Sequence, residues 1–266
     1  MLRDITLGQY YQTNSLLHRL DPRVKIMGTL VYIISLFLFR NVFVYMAVLG
    51  CLVILIKLSK VPFSFMVRGL KPIMMVLFLT VLCNLLFTPG TPVYSVWIIN
   101  VTREGMELAF YMSVRFIMLM IGSTLLTLTT TPTQLTDGLE SVLSPLRKIN
   151  VPVHEVAMMM SIALRFIPIL MEEADKIMKA QLSRGADFET GNIIHRVKGM
   201  LPLLVPLFIS AFKLADELAM AMDARCYRGG EGRSKMRPLI YKNIDKRAYM
   251  VMIIYLIVIV AIGVFA

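Results

Sequence analysis

Apolar positions follow two patterns along this chain. The first is near-continuous. Val24 to Phe39, Val42 to Ile56, Pro72 to Phe87, Gly105 to Thr130 and Ala248 to Ala266 are almost unbroken apolar runs, and each predicts a membrane-spanning helix. The first two are short for a hydrocarbon layer of about 30 Å, which takes about 20 residues. Lys25, Arg40 and Lys57 flank them and can extend their charged ends to the interface. Arg40-Asn41 reads as a tight turn between the two, and Lys57 to Lys71 as a basic connection. Thr88 to Glu104 holds Pro89, Gly90, Pro92 and Trp97, and predicts a loop or re-entrant segment on the outer face with Trp97 at interfacial depth. The second pattern begins at Thr131 and runs to Arg247, where apolar stretches alternate with dense charge. Gln134 to Ile149 reads as a short helix with Pro145 near its end. Val153 to Arg184 reads as a long helix with Met160, Leu164, Ile167, Met171, Ala174 and Met178 three or four residues apart. Gly199 to Arg225 repeats that scheme with Leu204, Phe208, Ala211, Ala215, Leu218 and Met222, and Gly229 to Lys246 is a basic loop. The layout is an N-terminal segment with four spans (1–130), a helical region (131–247) and a last span (248–266).

The two long helices share more than a period. Ala174 to Asp187 reads ADKIMKAQLSRGAD, and Ala215 to Arg228 reads ADELAMAMDARCYR, 41 residues later. In this register Ile177 matches Leu218, Ala180 matches Ala221, and Arg184 matches Arg225. Each arginine stands between small residues, Ser183 and Gly185 in one copy, Ala224 and Cys226 in the other. An arginine with small neighbours at a helix tip suits insertion into a partner's pocket. Cations also suit helix C-termini for local reasons, and the matched pair weakens that simpler account.

Composition agrees with a membrane protein. The chain is 57% hydrophobic over 266 residues, with a mean hydropathy of +0.71, too apolar for an ordinary soluble domain. The net charge is +11, and its placement matters more than its size. With the N-terminus in the cytoplasm, the N-terminal segment, Lys57 to Lys71 and Thr131 to Arg247 are all cytoplasmic, the C-terminus is outside, and only Arg40 and Arg103 lie outside among the basic residues. Val156 to Met171 and Met200 to Leu214 are apolar enough to resemble spans. Crossing would carry Lys176, Lys179, Arg184, Arg196 and Lys198 outside, so both read as helices lying under the membrane or against other helices, descending into the cytosol. The polar N-terminus has no apolar h-region of a cleavable signal.

Chemistry is sparse. There is no phosphate-binding G-x-x-x-x-G-K-[ST] loop, no Ser-His-Asp or H-E-x-x-H arrangement, and no histidine or cysteine set at metal-ligand spacing. No catalytic residue, metal site, bound cofactor or nucleic-acid partner is expected. Glu172, Glu173 and Asp175 read as a solvated helix face pairing with Lys176 and Lys179. Arg115 lies inside the fourth span. An intramembrane arginine is a functional candidate, and an inward arginine tying a helix crossing is the plainer alternative. The 21 methionines include several on the long helices, where they suit either an adaptable partner surface or ordinary membrane packing.

Several stretches together resemble a known family. GQYYQTNSLLHRLDPRVKI near the N-terminus, TTTP at Thr129 to Pro132, SPLRKI at Ser144 to Ile149, and the SRG and ARC pair look like the transmembrane T component of energy-coupling factor transporters, itself similar to permeases of cobalt and nickel uptake. The resemblance covers nearly the whole chain. It implies an all-α integral membrane protein of about five spans, with two long crossing coupling helices, that joins two ATP-binding subunits to one or more S components. The S component binds the vitamin or other micronutrient, so this chain does not select the substrate. ATP and Mg belong to the partner ATPases. Carried onto this sequence, the docking residues are Ser183, Arg184, Gly185, Ala224, Arg225 and Cys226, with Cys226 departing from the usual Gly or Ser. Met160, Leu164, Ile167, Leu204 and Phe208 would face the S component. The alternative is the permease of a conventional ABC importer with its own substrate path. Against it stand the lack of a second set of spans and only a partial EAA-type echo at Glu173-Ala174.

Overall fold

The computed structural model describes residues 10–70, 73–96, 99–186, 193–229 and 238–265. Its helices are α1 (Leu16–Arg19), α2 (Pro22–Leu38), α3 (Val42–Ser59), α4 (Phe63–Leu70), α5 (Met74–Phe87), α6 (Arg103–Thr129), α7 (Pro132–Leu143), α8 (Val153–Ser183), α9 (Ile193–Ala224) and α10 (Asn243–Phe265). The fold is an all-α membrane protein. Of the described helices, α3, α6, α8 and α10 are long and apolar enough to cross a bilayer, and α5 is a shorter apolar helix. Four departures from the sequence reading stand out. The Thr88 to Glu104 segment contains an antiparallel hairpin, β1 (Pro92–Val96) and β2 (Ile99–Thr102), and Trp97 lies outside the described residues. The basic connection after α3 contains α4. The stretch expected as one helix from Gln134 to Ile149 is α7 followed by a 3₁₀ turn, Ser144–Ile149, because Pro145 cannot donate to an α-helical ladder. Finally, α9 begins at Ile193, six residues before its expected start.

Two compact units make up the chain. The first combines Gly8–Ser141 with Leu239–Ala266 and is the span bundle. Its hub is α6, which packs on α2, α3, α4 and α5, while α10 packs on α2 and α3. Tyr32, Leu36, Val44, Val48, Leu52, Met118, Ile121, Leu125 and Ile259 are buried in its core. Where α2 passes α6, Gly122 leaves room for the Tyr32 ring, which a Cβ would strike. The Tyr32 hydroxyl then reaches the Met118 carbonyl at 2.9 Å. Only a side-chain-free position permits that approach.

Helix starts in the bundle are locally encoded. Asp21 caps α2 by accepting from the Arg23 N–H at 2.9 Å, with Pro22 at the first helical position. Asn41 caps α3 through the Phe43 N–H, and Thr102 caps α6 through the Gly105 N–H. Asp245 serves two helices at once. One carboxylate oxygen accepts from the Lys242 N–H at 2.7 Å, at the start of its own helix α10. The other accepts from the Asp21 N–H at 2.9 Å, at the start of α2. Asp245 is fully buried, so a single charge closes both helix ends against the interior.

The second unit, Val142–Pro238 among the described residues, consists of the 3₁₀ turn, α8 and α9. Here α8 packs on both the turn and α9. Both helices carry internal prolines, Pro168 in α8 and Pro202 and Pro206 in α9.

Candidate functional site

The two SRG and ARC tips have the same backbone. After α8, Gly185 adopts φ 84°. Its N–H bonds the Leu182 carbonyl, and the Ala186 N–H reaches back to the Gln181 carbonyl, each at 3.0 Å. After α9, Cys226 adopts φ 54°. Its N–H bonds Asp223 at 2.9 Å, and the Tyr227 N–H bonds Met222 at 3.0 Å. Each helix therefore ends in the left-handed, doubly bonded turn that satisfies its last carbonyls. The small residue after each arginine is the one that turns left-handed, so the matched positions share a backbone role and not only a size. Glycine takes that conformation freely, whereas cysteine takes it at a cost. The arginine itself occupies the last helical junction in both copies. Ser183, Arg184, Gly185, Ala224, Arg225 and Cys226 are all exposed. Among the described residues neither guanidinium has a side-chain partner.

Distance along the helices separates the tips. Gln181, one turn before the end of α8, donates from Nε2 to the Pro202 carbonyl at 3.5 Å. Within α9 that carbonyl would ordinarily accept from residue 206, which is Pro206 and has no N–H. Proline thus frees a carbonyl where the other helix passes, and Gln181 takes it up. From Pro202 to Ala224, α9 continues for about 33 Å at 1.5 Å per residue. Arg184 sits beside the helix contact and Arg225 at the far end of α9, on the order of 30 Å away.

Both helices expose apolar surface. Met160 and Ile167 are exposed on α8, and Leu164 is partly so. On α9, Leu204 and Phe208 are 53% and 66% exposed. The sequence reading missed their neighbours Leu201, Val205, Ile209 and Phe212, which are also exposed and continue the face at helical spacing. The Phe208 and Phe212 rings meet edge to face at 4.7 Å. Unbroken apolarity on this side of α9 is the signal the sequence carries for these neighbours.

Arg115 lies in the bundle and points inward. Its Nε donates to the Tyr45 hydroxyl on α3 at 3.0 Å, and its guanidinium lies 5.1 Å from the Phe37 ring centre on α2. These contacts tie three helices together. The N-terminal and TTTP stretches also meet. The Lys25 ammonium donates to the Thr129 carbonyl at 2.9 Å and faces the His18 carbonyl at 3.4 Å. The Tyr11 N–H donates to the Leu128 carbonyl at 2.9 Å. Among the described residues no group of histidine, cysteine or carboxylate side chains is placed to hold a metal.

Comparison with known proteins gives consistent results. The family described as CbiQ, cobalt transport protein, matches residues 13–236. The energy-coupling factor transporter transmembrane protein EcfT of Acidaminococcus fermentans is 52% identical over 253 residues, covering 95% of this chain and 94% of that protein. The EcfT protein of Clostridium kluyveri is 52% identical over 247 residues, 92% of each. That of Bacillus subtilis is 48% identical over 256 residues, 96% of each.

Proposed function

Since the chain belongs to the CbiQ family and stands with its EcfT transmembrane members, we propose that it couples two ATPase subunits to a separate substrate-binding S component. The carrying observation is the pair of matched helix terminations after α8 and α9, each presenting an exposed arginine with no side-chain partner among the described residues. Two separate nucleotide-binding subunits need two separate handles. A guanidinium offers a rigid fork that pairs with a carboxylate or backbone carbonyls in a groove. The backbone turn that follows satisfies its own carbonyls and leaves the arginine free to be the contact.

The exposed apolar faces of α8 and α9, from Met160 to Ile167 and from Leu201 to Phe212, then form the platform for the S component. Movement at the tips reaches that platform through the helices themselves, with the Gln181 to Pro202 bond joining one to the other. Charge supports a cytoplasmic position for both tips. Although α8 is long and apolar enough to span, its second half carries Glu172, Glu173, Asp175, Lys176 and Lys179, and crossing would place basic residues on the wrong side. The cargo is a vitamin or other micronutrient chosen by the S component, and ATP and Mg are held by the ATPases.

The test is co-purification of tagged ATPases with Arg184→Ala, Arg225→Ala and the double variant, normalised to membrane level. Truncating one side of a desolvated charge pair costs about 2–5 kcal/mol. Each single variant should lower ATP-driven uptake, and the double variant should lose the ATPases while still inserting. Full recovery of both ATPases with unchanged uptake would sink the docking model. Finding no separate substrate-binding membrane subunit in the wild-type complex would favour a permease with its own substrate path.

A further inference from the structure

A cavity of about 300 Å³ opens where α1 meets the C-terminal end of α3. Arg19, Lys57 and Lys60 line it, with Asn14, Leu16 and Leu58, and no carboxylate is among its walls. The fold gathers the three cations from separate places. Arg19 ends α1, Lys57 is in the last turn of α3, and Lys60 follows that helix in a left-handed conformation at φ 55°. All three are exposed, and among the described residues none has a carboxylate partner. The helix C-termini contribute only partial negative charge, so a net positive field remains. Leu16 and Leu58 are 56% and 42% exposed beside it. The whole arrangement sits directly past the apolar run of α3, a helix long and apolar enough to cross a bilayer.

We propose that this cavity binds the headgroup of an anionic phospholipid. The phosphate is held by Arg19, Lys57 and Lys60, Asn14 hydrogen-bonds glycerol or headgroup oxygens, and the two leucines lie against the first carbons of the acyl chains. The apolar walls favour a lipid over a free anion, which would gain nothing from them. The lack of a carboxylate favours an anionic headgroup over a zwitterionic one, whose ammonium would have no counter-charge. Basic pockets between helices at the cytoplasmic side are suited to such headgroups. The inference rests on the spans lying in a membrane and is independent of the arginine-tip reading.

Phosphatidylglycerol is titrated against the full-length chain in mild detergent with a phosphatidylcholine background, and retained lipids are counted by native mass spectrometry. Each cation near an anionic headgroup is expected to contribute about a fivefold change, and the three together on the order of a hundredfold. The Arg19→Gln, Lys57→Gln, Lys60→Gln variant should therefore lose tightly held phosphatidylglycerol, while phosphatidylcholine binding stays the same. Lys60→Gln alone should give an intermediate loss, which reads the site even if the triple variant folds poorly. Lys246→Gln with Arg247→Gln, at the same end of the bundle, should retain the lipid. Equal loss in that control would reduce the effect to general surface charge and overturn the site. Displacement of the lipid by millimolar inorganic phosphate or glycerol 3-phosphate would overturn the lipid assignment in favour of a free anion. Unchanged binding in the triple variant would end the proposal.

Discussion

The span bundle and the pair of long helices handle polar groups in opposite ways. In the bundle, several polar side chains turn inward and pair with other elements of the bundle. Tyr32 bonds a carbonyl of α6, Arg115 bonds Tyr45, Lys25 bonds the end of α6, and Asp245 closes two helix starts. In α8 and α9 the helix ends are satisfied by their own backbone, and the charged side chains are left outside. Buried polar groups are costly unless paired, and these pairings hold the bundle's helices to one another. The long helices leave both tip arginines and much apolar surface exposed, as the proposed docking requires, although Lys176 pairs with Glu173 within α8. The bundle thus ties its own helices together through polar side chains, whereas the ends of α8 and α9 close on their own backbone.

The sharpest way to break this contrast is at Asp245. Asp245→Ala orphans the buried Asp21 N–H, at about 1–3 kcal/mol, and removes the partner of the part-buried Lys242 N–H. The bundle should lose several degrees of thermal midpoint in detergent, and α10 should become accessible to protease. Wild-type thermal and proteolytic behaviour would mean that the double cap is not structural.

A smaller effect is expected at Arg115. Arg115→Leu removes a hydrogen bond and a contact with aromatic rings, together about 1–2 kcal/mol. Tyr45→Phe removes the hydrogen bond but keeps the ring, and should show part of the same loss in thermal midpoint. If Arg115 is only a tie, uptake should follow stability in both variants. Lost uptake in Arg115→Leu at unchanged stability would make it a functional intramembrane residue, and normal uptake with normal stability would leave it neither.

The smallest effect distinguishes the two tips from each other. Cys226 holds a left-handed conformation that costs a residue with a Cβ about 1 kcal/mol, and Gly185 holds the same conformation without that cost. Cys226→Gly should stabilise the end of α9, and Gly185→Ala should fray the end of α8 by a similar amount. Amide hydrogen exchange in the last turn of each helix would register both. No slowing in Cys226→Gly would mean that the α9 turn is not limited by its backbone.

Much of the architecture was legible because the spans are near-continuous apolar runs, and these locate helices well. The tip pair was legible for another reason: a repeat shows itself whatever its cause. What escaped lies where the signal is weak or long-range. The hairpin sits in a segment whose Pro89, Gly90 and Pro92 suggested a loop, although PVYSV and INVT have the β-branched and aromatic content of strands. Helix α4 was masked by the basic residues that flank it, Lys57, Lys60 and Lys71. Asp245 is one acid in a basic stretch, and nothing near it in sequence names Asp21 as its partner. The roles of Gly185 and Cys226 depend on a backbone dihedral, and size alone did not reveal it. The function of Gln181 becomes visible only when Pro206 is seen to leave a carbonyl free.

The bond from the Asp21 amide to Asp245 joins positions 224 residues apart. During synthesis the start of α2 emerges well before the start of α10. Until then the Asp21 amide can be satisfied only by water or by a temporary neighbour. The start of α2 therefore gains this partner only once the start of α10 has been made. A helix start laid down early is thus completed by a side chain made 224 residues later.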